Sequence, residues 1–148
     1  QDQVKAQETL TYMQPFYDLL KKHQGKMIYI DFWGPWCPPC LAEMEPLKEL
    51  RKKYSTDDIV FISICRNDDR KQYKQVLDKY GMYVDGIEHI HADDLQAESQ
   101  VHKMYNQLNI DGIPYFFIIN REGVIVNYGS MMRPSYPGTA ECFEEWLE

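Results

Sequence analysis

A chain of 148 residues has the usual size of one domain and can bury roughly two thirds of the surface its unfolded form exposes. Its make-up, 44% hydrophobic and 26% charged, excludes a disordered or fibrous class. Acidic residues outnumber basic ones by 23 to 16, and the formal charge of -7 with scattered Lys and Arg argues against a phosphate backbone as partner.

The predicted elements alternate between helical and strand periods. Leu10, Met13, Phe16, Tyr17 and Leu20 recur at helical spacing over 8–22, and 26–33 then forms a short, nearly continuous apolar run that reads as a buried strand. A helix is expected over 38–54, because Leu41, Met44, Leu47 and Leu50 share one face while Lys48, Arg51 and Lys52 point away. Residues 59–65 make a second buried strand. Asp68 or Asp69 can cap a helix that runs through Tyr80 and ends at Gly81. An extended stretch over 87–90 and a helix over 95–107 follow. Segments 115–120 and 124–128 flank Arg121-Glu122-Gly123, a polar connection suited to a β-hairpin, and a last helix covers 139–147. Strands joined through helices, then a hairpin and a closing helix, predict an α/β fold with a mixed sheet covered on both faces.

No repeat, low-complexity tract or Pro/Ser-rich linker divides the sequence, so a single domain over 1–148 is expected. Apolar runs such as 27–30 and 115–119 fall far short of the roughly 20 residues a membrane-spanning helix requires. The sequence opens on Gln1 without an initiator methionine or signal sequence, which reads as processing or excision; an export signal, lipid anchor or membrane helix upstream would lie outside it.

The most informative stretch is Asp31-Phe32-Trp33-Gly34-Pro35-Trp36-Cys37-Pro38-Pro39-Cys40, placed where a buried strand gives way to a helix. The first cysteine then sits at the helix N-terminus, where the macrodipole favours a thiolate, and the second lies one turn in, where it can attack a mixed disulfide. A purely structural disulfide closing so short a loop would contribute at most roughly 2 kcal/mol. A zinc knuckle would need further ligands, yet Cys65 and Cys142 stand alone, and Pro38 and Pro39 remove amides that could steady bound thiolates. A redox-inactive binding module that merely keeps the cysteines is a third reading, which an activity assay distinguishes.

Trp36-Cys37-Pro38-Pro39-Cys40 followed by Leu41-Ala42-Glu43-Met44, with the later Gly112-Ile113-Pro114 step and the hairpin over 116–128, resembles the thioredoxin superfamily in its TlpA/ResA-like branch. The likeness spans most of 26–130. It implies a thioredoxin fold, a mixed central sheet flanked by helices, here with an N-terminal helix and a βα insertion. It implies a thiol:disulfide oxidoreductase in which Cys37 is the nucleophile and Cys40 the resolving thiol, with Trp36, Pro38, Pro39, Ile113 and Pro114 contacting substrate. Pro114 would be a cis-proline facing the pair, leaving the Ile113 backbone free for an extended substrate. The expected partners are disulfide-containing proteins and an upstream thiol reductant, with no nucleic acid and no membrane segment in the chain. No metal and no cofactor beyond the redox-active Cys37–Cys40 disulfide is expected. The resemblance further implies an extracytoplasmic setting, in a bacterial periplasm or cell envelope, with a cytoplasmic one left open.

Asp31 is the only charge in 27–33, and a lone buried carboxylate is costly unless paired, neutralised or useful. It matches the buried acid of cytoplasmic thioredoxins, six positions before the first cysteine, which is thought to help move the proton of the resolving thiol. Glu43, three residues after Cys40, falls within the arc of Met44, Leu47 and Leu50 and matches the active-site glutamate of the ResA-like branch. It can equally be a first-turn acid that complements the helix dipole. Having both acids departs from either subfamily, and so does Pro46, one residue later than the usual helix-kinking proline. Since Pro38 and Pro39 deprive the Cys37 sulfur of amide donors, its thiolate should be less stabilised than in strongly oxidising relatives. That favours reduction of protein disulfides over the reverse, disulfide-donating reaction.

Weaker signals are set aside. His89 and His91 near Asp93 and Asp94 form only a loose metal pattern. Cys65 reads as a small core residue and Cys142 as part of the last helix. The Met131-Met132-Arg133-Pro134 stretch suits either a substrate rim or an ordinary loop.

Overall fold

The computed structural model describes residues 2–66 and 69–148. Strand β1 (Met27–Trp33) is its spine, buried along its whole length because cores lie against both faces of the sheet. Side chains alternate across a strand, so Met27, Tyr29 and Trp33 enter one core while Ile28, Ile30 and Phe32 enter the other. Parallel β2 (Ile59–Cys65) flanks β1 and carries parallel β3 (Ile87–His91) beyond it; antiparallel β4 (Tyr115–Ile119) lies on the other side and carries antiparallel β5 (Ile125–Tyr128). The order is β3-β2-β1-β4-β5, the mixed sheet expected.

Helices α1 (Asp2–Lys22) and α5 (Glu98–Gln107) cover the Ile28 face through Met13, Phe16, Leu19, Val101 and Met104. The Tyr29 face is covered by α2 (Pro38–Ala42), α3 (Met44–Lys52), α4 (Arg70–Lys79) and α6 (Pro137–Leu147). Apolar periodicity could not reveal residues 2–7 of α1, since they touch no core and are exposed. Pro15 sits inside α1 and denies an amide to the Thr11 carbonyl, which accepts instead from Gln96 Nε2 at 3.2 Å.

The single helix expected over 38–54 is in fact two, broken at Glu43. Pro46 explains the break: it has no N–H to offer the Ala42 carbonyl, and its ring would clash there in a continuous helix. Asp69 caps α4 by accepting from Lys71 N at 2.9 Å, whereas Asp68, the other candidate cap, lies outside the described residues. A 3-10 turn over Ala92–Asp94 delays α5 to Glu98, and α6 starts at Pro137, where a missing N–H costs nothing. The β4–β5 connection is the tight turn expected, with Gly123 at φ +81° and Asn120 Oδ1 accepting from Glu122 N and Val124 N.

Candidate active site

Both cysteines stand at the carboxyl end of β1. Gly34-Pro35-Trp36 turns the chain, closed by a Cys37 N–H to Gly34 carbonyl bond of 3.1 Å, and Cys37 becomes the N-cap of α2. One helical turn later Cys40 meets it, and the two sulfurs are joined as a disulfide with the Cα atoms 5.2 Å apart. Both are buried, Cys37 at 7% exposed and Cys40 at 3%. The Cys40 N–H donates to Cys37 Sγ at 3.3 Å. Pro38 and Pro39 occupy the two intervening positions and have no amide to give. A helix of five residues also aligns few peptide dipoles behind that sulfur.

Trp36, half exposed, folds its indole over Gly34: a Cβ there would come within 2.7 Å of the ring. Gly34→Ala is therefore expected to push the indole outward while changing stability by less than about 1 kcal/mol, because the ring is free to move toward solvent. Acrylamide quenching of Trp36 in a Trp146→Phe background should rise in the variant; unchanged quenching would contradict the packing. Opposite the cysteines, the Ile113–Pro114 peptide bond is cis and the Ile113 carbonyl oxygen lies 3.8 Å from Cys37 Sγ. The Ile113–Pro114 step thus lies beside Cys37.

Asp31 shares the face of β1 that carries Tyr29 and Trp33 and is 7% exposed. Its register partner on β2 is Ser63, whose Oγ donates to Asp31 Oδ1 at 2.7 Å. Burial pushes the carboxyl up to about 7, with the Ser63 hydroxyl opposing the rise. Asp31, Cys40, Glu43, Pro114, Phe116 and Pro134 line a small cavity of about 10 Å³, the scale of one water molecule. Asp31 and Cys40 therefore border a shared space. A larger hollow of about 340 Å³, lined by residues such as His23, Lys26 and Arg121, lies at the other end of β1, away from the thiols.

Glu43 sits at the break between α2 and α3 and reaches a loop 92 residues away, where Ser135 N donates to Oε1 at 2.8 Å and Ser135 Oγ to Oε2 at 2.7 Å. Tyr29 fixes the same loop from inside the core, its hydroxyl donating to the Met132 carbonyl at 2.6 Å; burial first, and the Asp31 and Glu43 charges second, raise its proton affinity well above the ordinary value. Ser63, Ser135 and Tyr29 escaped sequence reasoning. Only Ser63 carried a signal, as the one hydroxyl in the apolar run of β2.

Of the remaining candidates, Met131 is exposed, whereas Pro134 is buried and lines the cavity together with Cys40. His89 Nε2 meets the Met82 carbonyl at 2.6 Å and His91 Nδ1 accepts from Asp93 N at 3.3 Å, so both rings serve the fold. Among the described residues no three His, Cys, Asp or Glu gather in a way that could hold a metal ion. No described helix is long and apolar enough to cross a membrane. Cys65 and Cys142 are buried and take no part in the disulfide.

Sheet order, cis-proline and a CxxC disulfide at a strand-to-helix junction define a thioredoxin fold, and a model of the thioredoxin-like family matches residues 25–125. The chain belongs to that family. Within it, the chain is 27% identical to the thiol-disulfide oxidoreductase ResA of Halalkalibacterium halodurans over 134 residues, 87% of this chain and 65% of that protein. ResA of Bacillus anthracis is 26% identical, with 72% of this chain and 56% of that protein aligned. The chain thus spans less than two thirds of the length of these relatives. A solution structure from Bacteroides vulgatus, described as a thiol-disulfide oxidoreductase, is 38% identical with a TM-score of 0.66, covering 86% of this chain and 78% of that one.

Proposed function

We propose that this chain, as one domain, is a thiol:disulfide oxidoreductase that reduces protein disulfides through Cys37 and Cys40. The observation that carries this reading is the Cys37–Cys40 disulfide capping α2 beside a buried Asp31 that burial brings to about 7, where it can both take up and release a proton. The likeness to ResA proteins, named thiol-disulfide oxidoreductases, supports the exchange chemistry.

In the reduced protein, Cys37 thiolate attacks one sulfur of a substrate disulfide; a Cys37–substrate bond forms, the substrate S–S bond breaks, and the departing thiolate takes a proton. Cys40 then loses its proton to Asp31 across the cavity and attacks Cys37 Sγ. The second substrate thiolate leaves and is protonated, so two substrate thiols appear as the enzyme becomes the disulfide. An upstream thiol reductant restores it. Trp36, Pro38, Pro39, Ile113 and Pro114 surround Cys37 and form the surface on which an extended substrate segment lies. One amide and a five-residue helix give the Cys37 thiolate modest support, which favours reduction over disulfide donation. We place the protein outside the cytoplasm, in a periplasm or cell envelope, in keeping with its ResA-like character.

Insulin reduction in the presence of dithiothreitol tests the reading. The native chain should accelerate precipitation of the insulin B chain, and Cys37→Ser should lower the rate to the uncatalysed level. Equal rates with both proteins would leave a peptide-binding module as the better account. A protein that oxidises reduced substrates faster than it reduces oxidised ones would point to a disulfide donor.

A further inference from the structure

We infer that Ser135 is a positioning residue: it holds Glu43 on the loop after β5 and so leaves Asp31 to receive the Cys40 proton. This rests on the disulfide-exchange reading above and assigns the division of labour between its two acids.

Two carboxylates line the cavity that touches Cys40, yet their surroundings differ. Among the described residues, Asp31 has one side-chain hydrogen bond, accepted by Oδ1 from the Ser63 hydroxyl. Glu43 has each of its oxygens engaged by a donor of Ser135, one amide and one hydroxyl. The loop itself does not swing freely. Gly129 N donates to the Phe116 carbonyl at 2.9 Å, Tyr29 holds the Met132 carbonyl, and Thr139 Oγ1 donates to the Arg133 carbonyl at 2.7 Å. Ser135 is therefore presented from a backbone pinned before and after it. The bend at Glu43, imposed by Pro46, places the Glu43 carboxylate within its reach. Among the described residues, Asp31, Cys40 and Glu43 are the ionisable ones that line this space; Tyr29, deeper in the core, is committed to Met132 as a donor.

The consequence is a specific rescue. Ser135→Ala removes the hydroxyl and keeps the amide, so Glu43 stays on the loop by Oε1 while Oε2 becomes free to turn toward the cavity. The reaction of the reduced protein with dithionitrobenzoate, an aryl disulfide whose released thiolate is yellow, separates the steps: the first thiolate reports attack by Cys37, the second reports closure by Cys40. Asp31→Asn should slow the second release about 100-fold, and far less the first. Adding Ser135→Ala to Asp31→Asn should restore about tenfold of the second release, and adding Glu43→Gln to that pair should abolish the recovery. Ser135→Thr, which keeps a hydroxyl, should give Asp31→Asn no recovery. The inference is overturned if Ser135→Ala leaves the Asp31→Asn defect untouched, or if Glu43→Gln alone slows the second release as much as Asp31→Asn does. Failure of the exchange reading looks different: the native protein would release no second thiolate, and the inference would fall with it.

Discussion

Replacing Cys40 with serine is expected to turn the protein into a covalent trap, with Cys37 joined to substrate in adducts that survive non-reducing electrophoresis and vanish with dithiothreitol. In the native protein the attacking sulfur is one helical turn away, with Cα atoms 5.2 Å apart, so closure is intramolecular. Well-oriented intramolecular reactions correspond to effective concentrations up to about 10⁵ M or more, against millimolar free thiol in solution. Losing Cys40 should therefore lengthen the life of the mixed disulfide by at least about 10⁴-fold. Serine keeps the size of the side chain, and Cys40 is 3% exposed, so the fold should tolerate the change. Cys37→Ser should give no adduct at all. Adducts of equal yield in Cys40→Ser and Cys37→Ser proteins would mean that a thiol other than Cys37 attacks substrate as well, and the assignment of Cys37 as the sole nucleophile would be wrong.

Much of this site was legible because its parts are close in sequence. Trp33 to Cys40 is one continuous strand–turn–helix segment, and the apolar run before it dictates where the turn must fall. Asp31 announced itself as the sole charge in a buried run. Pro114 depended on resemblance, since spacing alone says nothing about which isomer a proline adopts. The missing parts are those that distant segments bring together. Ser63 meets Asp31 from 32 residues away, and Ser135 meets Glu43 from 92, so neither pairing leaves a periodic trace. The helix break at Glu43 left no such trace for a more local reason. Its apolar neighbours Met44, Leu47 and Leu50 suggested a continuous helical arc, whereas Pro46 interrupts the hydrogen-bond ladder and re-aims it. Residues 2–7 of α1 lacked the one signal available to periodicity, contact with a core.

Asp31→Asn should make the oxidised protein more stable, and only above mildly acidic pH. An aspartate in the unfolded chain ionises near 3.8, while the buried one keeps its proton up to about 7. Between those values the native state binds the extra proton, so the stability that the neutral carboxyl permits is fully present below pH 4 and is lost as pH rises toward 7. Above 7 the loss is complete, at about 4 kcal/mol. Asparagine cannot ionise and its carbonyl can still accept from the Ser63 hydroxyl, but its amide brings donors into a buried site, which offsets about 1–2 kcal/mol. The net gain should be about 2–3 kcal/mol at pH 8 and vanish or reverse at pH 4, read as the shift in denaturant midpoint of the disulfide form at each pH. Using that form keeps the titration of Cys40 out of the comparison. A gain of the same size at both pH values would show that Asp31 is not held neutral by burial. Since the same variant is expected to slow the closing step of disulfide exchange, a stabilising Asn with impaired chemistry would explain why the apolar run of β1 retains an acid: its destabilisation accompanies a proton acceptor poised near neutrality beside the resolving thiol.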